Sequence, residues 1–201
     1  INVPAGDLMQ GGNGLAGVPG KEIEFHQAVE KALAYATALN VPSVNILAGK
    51  QPQDADLLPC LNTLSANFKM ACHMFSHAGI QPVFEMINGT DMPRFLVQNI
   101  AQAQEMLEAV QHPALKMQYD CYHLAMMGED ILEGLQENIE FIGHIQFADC
   151  AGRHEPDTGS INYASIFTWL KQSPYTGFIA AEYRPSQASE KTFAWKDKYF
   201  A

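Results

Sequence analysis

Short apolar runs alternate with longer stretches of helical periodicity along the chain. The apolar runs predict strands at residues 1–3, 43–47, 82–86, 116–120, 144–147 and 178–183. Between them, apolar side chains recur every three or four positions, which is typical of helices that bury one face. This regular alternation predicts an α/β fold with a parallel sheet, whose strands are joined by helical crossovers.

Five helices are predicted between these strands. Four of them cover residues 22–39, 56–77, 131–141 and 163–172. The remaining helix, third in chain order, is expected to follow residues 90–93 directly. Asp91 is a suitable N-cap for it, and Pro93 is tolerated in a first helical turn.

One isolated polar residue closes each of four apolar runs. These residues are Glu85, Asp120, Gln146 and Glu182, spaced 35, 26 and 36 positions apart, about the length of one strand–loop–helix–loop unit. In a βα barrel, the carboxyl ends of successive strands converge on one point. A buried carboxylate is unfavourable unless it binds a metal or a proton donor. The pattern therefore predicts an oxygen-rich site for a divalent cation, Mg²⁺ or Mn²⁺ rather than zinc.

His144 is an alternative to Gln146 as the ligand from its strand. The two residues are two positions apart, so their side chains face the same way, and both point inward if Ile145 and Phe147 pack against helices. Gln146 lies nearer the carboxyl end of the strand and is better placed. An imidazole is the stronger ligand for a transition metal, however, so both residues stay as candidates.

Two further candidates lie in loops that follow these strands. His123 comes three residues after Asp120, where it would donate a hydrogen bond to a substrate oxygen or simply be a satisfied loop histidine. Arg153 follows the strand of Gln146. Its guanidinium would hold a substrate carboxylate in a bidentate pair, unless it is an ordinary solvated arginine.

The length of 201 residues suits one domain, residues 1–201, near the lower size limit of a βα barrel. Six predicted strands do not close an eight-stranded barrel. Two more βα units would need about 60 further residues. The expectation is a (β/α)8 barrel from which the first two βα units are missing, with an omitted N-terminal segment or a partner covering the gap. A six-stranded open sheet is the alternative.

Composition excludes some classes of protein. The formal net charge of -10 opposes binding to nucleic acid, because few basic groups are available to neutralise phosphates. The chain has no apolar run long enough to predict a membrane span. The four cysteines are widely spaced without a CxxC pair, which favours reduced, buried thiols in a cytoplasmic protein.

Several segments resemble the hydroxypyruvate isomerase family, within the superfamily of xylose-isomerase-like barrels. The matching segments are residues 2–7, 45–49, 84–88 with 91–93, 119–123, 143–149, 152–156 with 159 and 161–163, and 181–183. The resemblance covers nearly the whole chain. Members of that family carry two βα units ahead of the segment that matches residue 1.

The resemblance implies roles for the four strand-end residues. Glu85 and Glu182 would be the acid/base pair and also metal ligands, and Asp120 and Gln146 would complete the metal shell. Related epimerases carry a histidine at the position of Gln146, so the carboxamide favours the isomerase branch. The implied reaction is a metal-dependent aldose–ketose interconversion of a small hydroxy-keto acid, with hydroxypyruvate to tartronate semialdehyde as first choice.

Three other functions are kept as alternatives. An isomerase of the same chemistry would act on 2-oxo-tetronate. A phosphodiester hydrolase resembling AP endonucleases would share the barrel, but it needs a multi-zinc cluster with several histidines. A non-catalytic sugar-acid binding protein is disfavoured by the intact glutamate pair. Whether the chain forms a homo-oligomer is left open.

Overall fold

Within residues 1–200, which the computed structural model describes, one sheet contains five parallel strands. They are β1 (Ser43–Ile46), β2 (Gln81–Glu85), β3 (Lys116–Asp120), β4 (Ile142–Phe147) and β5 (Ile179–Ala181). Their spatial order is the same as their order in the chain. The predicted α/β class and the barrel-like succession of parallel strands are therefore confirmed, and five of the six predicted strands are present.

The helices lie between these strands and after the last one. They are α1 (Glu22–Leu39), α2 (Leu57–His77), α3 (Ile100–Val110), α4 (Cys121–Met126), α5 (Ile131–Asn138), α6 (Tyr163–Leu170) and α7 (Ala194–Phe200), with 3-10 turns at Leu8–Gln10, Ile139–Phe141 and Ser189–Lys191. Asn99, Asp120, Asp130 and Asn162 cap the amino ends of α3, α4, α5 and α6 with their side chains.

The first predicted strand is reduced to a single parallel bridge between Asn2 and Asn45. Two backbone hydrogen bonds hold it, from the Val3 amide to the Asn45 carbonyl and from the Asn45 amide to the Ile1 carbonyl, both 2.8 Å. In the described range, this segment pairs with β1 and not with β5. The sheet is thus an open half-barrel, and a closed six-stranded barrel is excluded.

The predicted start of the third helix is wrong. Residues 91–98 form turns and loop, and α3 begins at Ile100, where the Asn99 side chain accepts a hydrogen bond from the Gln102 amide. Asp91 does not cap a helix, because its side chain accepts hydrogen bonds from Asn88 and Tyr122 instead. Helices α4 and α7 were not predicted from the periodicity, since each spans fewer than two turns.

The outer face of the sheet is apolar and packs against the helices. Phe84 in β2 contacts Phe68 of α2, with ring centroids 5.3 Å apart. At the end of β4, Phe147 packs edge-on against Phe167 of α6 and Trp195 of α7, at 5.2 and 5.1 Å. Because side chains alternate along a strand, these contacts leave the neighbouring side chains of β2 and β4 on the concave inner face.

The inner face is polar, which is unusual for the interior of a sheet covered by helices. A cavity of about 200 Å³ lies on this face. It is lined by Ile1, Asn2, Ser43, Asn45, Glu85, Gln118, His144, Gln146 and Glu182. Polar side chains are kept in a protein interior only when they have partners or a function, so this face is the candidate functional surface.

All four cysteines are free thiols, as predicted. Cys60, Cys72 and Cys121 are buried, whereas Cys150 is partly exposed. None of the helices described between residues 1 and 200 has both the length and the apolar character needed to span a membrane.

Replacing Phe147 with Ala should destabilise the fold by about 3–5 kcal/mol, because its ring is 2% exposed and the cavity left behind is lined by other aromatic rings. Chemical denaturation measures the loss. The matched control is Phe178→Ala, immediately before β5, where the side chain is 68% exposed and the expected change is below about 1 kcal/mol. Equal losses in the two variants would contradict the described packing.

Candidate active site

Glu85 lies at the carboxyl end of β2 with 6% of its surface exposed. Its Oε2 atom accepts hydrogen bonds from Asn45 Nδ2 at 3.0 Å and from Gln118 Nε2 at 2.9 Å. Both donors are amides on the neighbouring strands β1 and β3. The strands on either side therefore orient the carboxylate, while its second oxygen, Oε1, faces His123.

Asp120 ends β3 and is 1% exposed. Its Oδ1 atom accepts from the backbone amides of Tyr122 at 2.8 Å and His123 at 3.4 Å, which makes Asp120 the N-cap of α4. Capping fixes the side chain, so Oδ2 is left to face the site. This second oxygen lies 3.3 Å from an Arg153 guanidinium nitrogen.

His123 stands between the two buried carboxylates. Its Nε2 atom is 3.8 Å from Glu85 Oε1 and 3.8 Å from Asp120 Oδ2. One ligand atom from each of these three residues lies within 4.8 Å of the others. Burial, followed by the nearby Arg153 charge, lowers the pKa of His123 to about 4. The ring is therefore neutral near pH 7, and neither contact is an ion pair at that pH.

Gln146 points inward from β4, as the sequence pattern predicted. Its Oε1 atom accepts from Gln118 Nε2 at 2.6 Å, and the same nitrogen donates to Glu85. The strand register pairs Asp120 with Gln146 and Gln118 with His144. His144 thus lies two residues further from the carboxyl ends of the strands than Gln146, which is level with Asp120. This register supports Gln146 over His144 as the residue nearer the carboxylates.

Glu182 follows β5, and its amide extends the strand pairing by donating to the Phe147 carbonyl at 3.0 Å. Its side chain is 53% exposed. An Arg153 guanidinium nitrogen lies 2.8 Å from Glu182 Oε2 and also contacts Asp120. Arg153 therefore joins the outer carboxylate to the buried one.

The loop that carries Arg153 is closed by hydrogen bonds at its base. Asp149 Oδ1 accepts from the amides of Cys150 at 2.9 Å and Ile161 at 3.1 Å. A Cβ on Gly159 would collide with the Cys150 carbonyl, so glycine is required there. At the tip, Arg153 adopts a left-handed backbone with φ of 56°, a conformation that is unfavourable for an arginine and is often found at functional sites.

The guanidinium of Arg153 packs on the face of the Tyr122 ring. The Arg153 Cζ atom lies 5.0 Å from the centroid of the Tyr122 ring, within the range of a cation–π contact. The Tyr122 hydroxyl donates to Asp91 Oδ2 at 2.9 Å. The ring is thus held at both its face and its edge.

The carboxylates are not at their ordinary acidity. Burial, together with the Asp120 and Glu182 charges, raises the pKa of Glu85 to about 8. Burial also raises the pKa of Asp120, although Arg153 and two backbone amides partly offset the change. Two buried carboxylates side by side resist ionisation because each charge is poorly solvated and repels the other.

These residues fit a divalent cation. Two buried carboxylates with raised pKa values, a third carboxylate and an amide oxygen form a set of hard oxygen donors. A cation would favour the ionised carboxylates and relieve their repulsion. The Asn45 Oδ1 atom is buried without a hydrogen-bond partner, so the polar wall also has an unused acceptor for a ligand.

Sequence reasoning missed four residues of the site. Asn45 and Gln118 hold Glu85, whereas Asn88 and Tyr122 hold His123 and Arg153. Gln118 had a usable signal, because it lies two positions before Asp120 and so shares its inward face. Asn45 had the same signal, because it lies between Val44 and Ile46 in a predicted strand. Asn88 and Tyr122 lie outside the predicted strands, where no such spacing rule applies.

Three known proteins and one family model match this chain over nearly its whole length. The family model, described as xylose isomerase-like TIM barrel, matches residues 1–199. The hydroxypyruvate isomerase of Escherichia coli is 36% identical, over 98% of this chain and 77% of that protein. The 2-oxo-tetronate isomerase of Cupriavidus necator is 34% identical, over 99% of this chain and 76% of that protein. A solved structure described as AP endonuclease, family 2, from Brucella melitensis has a TM-score of 0.93 and 31% identity, and the match covers 98% of this chain and 76% of that one.

The fold and the family model define the class as a xylose isomerase-like TIM barrel. Within that class, the chain belongs to the hydroxypyruvate isomerase family. The resemblance stated from the sequence segments is confirmed, and with it the prediction of an isomerase of this family.

The buried carboxylates predict how the stability of the metal-free protein depends on pH. The folded pKa of Glu85, about 8, exceeds its ordinary value of 4.5, so its contribution to stability is complete below pH 4.5. That contribution is lost as the pH rises through about 8. Asp120 acts in the same direction. Thermal unfolding of chelator-treated protein should show stability falling across this window.

Replacing Glu85 with Gln should flatten this pH dependence, because the amide does not titrate. The control is Glu108→Gln on α3, an exposed position that changes the net charge equally. If the Glu85→Gln and Glu108→Gln variants kept the same slope as the parent between pH 5 and about 8, a buried titrating Glu85 would be excluded.

Proposed function

We propose that this protein is a metal-dependent aldose–ketose isomerase of a small hydroxy-keto acid, with hydroxypyruvate as first choice of substrate. The observation that carries the proposal is the gathering of Glu85, Asp120, Gln146 and Glu182 on one polar face inside the sheet. Three carboxylates close together are unfavourable for stability, because burial and mutual repulsion both oppose their ionisation. Their presence on this face therefore indicates a function. The sequence relatives named as isomerases support the same chemistry.

The proposed metal ligands are Glu85, Asp120, Gln146 and Glu182, and the proposed ion is Mg²⁺ or Mn²⁺. Oxygen donors of this kind are preferred by hard divalent cations. When bound, such a cation supplies a Lewis acid that withdraws charge from the substrate's carbonyl and hydroxyl oxygens. Gln118 and Asn45 contribute by donating hydrogen bonds to Glu85 Oε2, which leaves Oε1 available to a cation.

Glu85 and Glu182 are the proposed proton carriers. One removes the proton from the carbon next to the carbonyl, giving an enediolate, and the other returns a proton to the neighbouring carbon. The two occupy different environments, because Glu85 is buried between amides and the Glu182 side chain is 53% exposed. Steps of this kind typically contribute about 10²–10⁴-fold each to the rate.

Arg153 and His123 are the proposed substrate contacts. The Arg153 guanidinium rests on Tyr122 beside the carboxylates, where it can pair with the carboxylate of a keto acid in bidentate fashion. His123 is neutral and lies between Glu85 and Asp120. From there it can donate one hydrogen bond to a substrate oxygen.

The open sheet leaves strand edges that a complete barrel would pair. Two edges are unpaired in the described range, one along residues 1–3 and one along β5. We propose that two further βα units, or a partner chain such as a second copy, cover this gap and complete the barrel of a single-domain, cytoplasmic enzyme. Closure would also shield the polar cavity from bulk water.

Two other activities are kept as alternatives, and the exchange experiment below distinguishes them. A 2-oxo-tetronate isomerase would use the same carboxylates on a four-carbon acid, and a sequence relative carries that name. A phosphodiester hydrolase is suggested by the name of the structural relative from Brucella melitensis. Among the described residues, one cluster of three side chains could hold a metal ion, and it contains a single histidine. The net charge of -10 also opposes DNA binding.

Proton exchange at carbon tests the proposal directly. Hydroxypyruvate and 2-oxo-tetronate are each incubated in D₂O with the protein and Mg²⁺ or Mn²⁺, quenched with chelator and analysed by NMR. Solvent deuterium should enter the carbon next to the carbonyl, and chelator added at the start should prevent it. Deuterium exchange that is insensitive to chelator would reject the proposal. So would a protein that cleaves abasic DNA and exchanges no deuterium into either acid.

Replacing Glu182 with Gln should lower turnover by at least about 100-fold. The amide still offers an oxygen to the cation. The affinity for Mn²⁺, measured by calorimetry, should therefore fall by a much smaller factor than the turnover rate. The control is Glu190→Gln, an exposed position with the same change in charge. A Glu182→Gln variant that kept more than about a tenth of the parent rate would remove Glu182 from proton transfer.

A further inference from the structure

The orientation of the Asn88 side chain is fixed by two backbone amides. Its Oδ1 atom accepts from the Thr90 amide at 3.1 Å and the Asp91 amide at 2.8 Å. An amide oxygen accepts and an amide nitrogen donates, so these contacts leave Nδ2 on the opposite side. Nδ2 donates to Asp91 Oδ2 at 3.0 Å, which is consistent with the same orientation.

The Asn88 Nδ2 atom also lies 2.7 Å from His123 Nδ1, and the Asn88 backbone amide points at the same ring nitrogen from 3.4 Å. Two donors face one nitrogen. His123 Nδ1 must therefore accept, and a neutral imidazole that accepts at Nδ1 carries its proton at Nε2. Asn88 is 0% exposed and His123 is 3% exposed, so water does not compete for this contact.

The protonated nitrogen faces the carboxylates. His123 Nε2 lies 3.8 Å from Glu85 Oε1 and from Asp120 Oδ2. Both distances are too long for a direct hydrogen bond, so the N–H is free to donate to an oxygen placed between the two carboxylates. A protonated Nε2 has no lone pair for a cation, and this argues against His123 as a metal ligand despite its position.

We propose that Asn88 is a positioning residue that holds His123 in the Nε2–H tautomer, so that the ring donates a hydrogen bond to a substrate oxygen and does not ligate the metal. The role in turnover rests on the isomerase function proposed above, whereas the tautomer follows from the hydrogen bonds alone.

Asp91 links this pair to the second substrate contact. One oxygen, Asp91 Oδ2, accepts from both Asn88 Nδ2 and the Tyr122 hydroxyl, at 3.0 and 2.9 Å. Tyr122 in turn carries the Arg153 guanidinium on its ring. The turn at residues 88–91 therefore sets the His123 tautomer and, through Tyr122, the platform under Arg153. This is a physical reason for a loop where the sequence predicted a helix start.

The tautomer is measured by NMR on protein labelled with ¹⁵N-histidine, at pH 7 and without metal. The His123 signals are assigned by their loss in a His123→Gln variant. In the parent protein, His123 Nδ1 should be unprotonated and Nε2 protonated. In an Asn88→Asp variant, the donor at Nδ1 becomes a carboxylate acceptor while the oxygen that caps Thr90 and Asp91 is kept, so Nδ1 should become protonated.

Turnover of the metal-loaded protein supplies the second readout. Asn88→Asp should lower kcat by at least about tenfold, in line with the usual loss of one hydrogen bond to a charged transition state. In a His123→Gln background the same substitution should lower kcat by a clearly smaller factor than in the parent, because the part of its effect that acts through His123 is already lost. Any remaining effect would act through Asp91, which also contacts Asn88. Asn67→Asp is the control for stability, since Asn67 is buried in α2 and donates to the Ala16 carbonyl, and it should leave kcat unchanged.

The outcomes separate the two proposals. Protonated Nδ1 in the parent protein would overturn the tautomer assignment. A changed tautomer in Asn88→Asp with unchanged kcat, or an Asn88→Asp effect that is equally large without His123, would overturn the positioning role. A parent protein with the expected tautomer but no turnover on any hydroxy-keto acid would contradict the isomerase function and still support the tautomer assignment.

Discussion

The structure depends on keeping three carboxylates together on the concave face of one sheet. Glu85 and Asp120 are almost fully buried, and burial together with the Asp120 charge raises the pKa of Glu85. Neutral donors can orient such groups but cannot cancel their charge. Arg153 is the cation that contacts the cluster in this structure, through Asp120 and Glu182. A divalent cation would neutralise the buried pair more completely, and the proposed chemistry follows from that requirement.

Three donors link the four proposed ligands into one chain of contacts. Gln118 joins Gln146 to Glu85, and the His123 ring lies between Glu85 and Asp120. Arg153 joins buried Asp120 to exposed Glu182. Apolar packing on the outer face of the sheet makes this possible, because it fixes which side chains point inward. The fold therefore holds the three carboxyl groups together, and the loops after β3 and β4 add the groups that would meet a substrate.

The alternation of polar and apolar positions predicted the strands and the inward direction of Glu85, Asp120 and Gln146, because a period of two is a local property of a strand. It failed at residues 88–99, where the Asp91 carboxylate pairs with Tyr122 across the site instead of capping a helix. It also does not reveal the partners of Asn45 and Asn88, which are 40 and 35 positions away. Contacts over such distances leave no periodic trace in the sequence.

Anomalous diffraction from crystals soaked in Mn²⁺ tests the central claim most directly. We expect one ion with oxygen atoms of Glu85, Asp120, Gln146 and Glu182 at roughly 2.0–2.6 Å, and with no bond to the His123 ring. An ion bound elsewhere, an ion bonded to His123 Nε2, or no ion at millimolar Mn²⁺ would contradict the account.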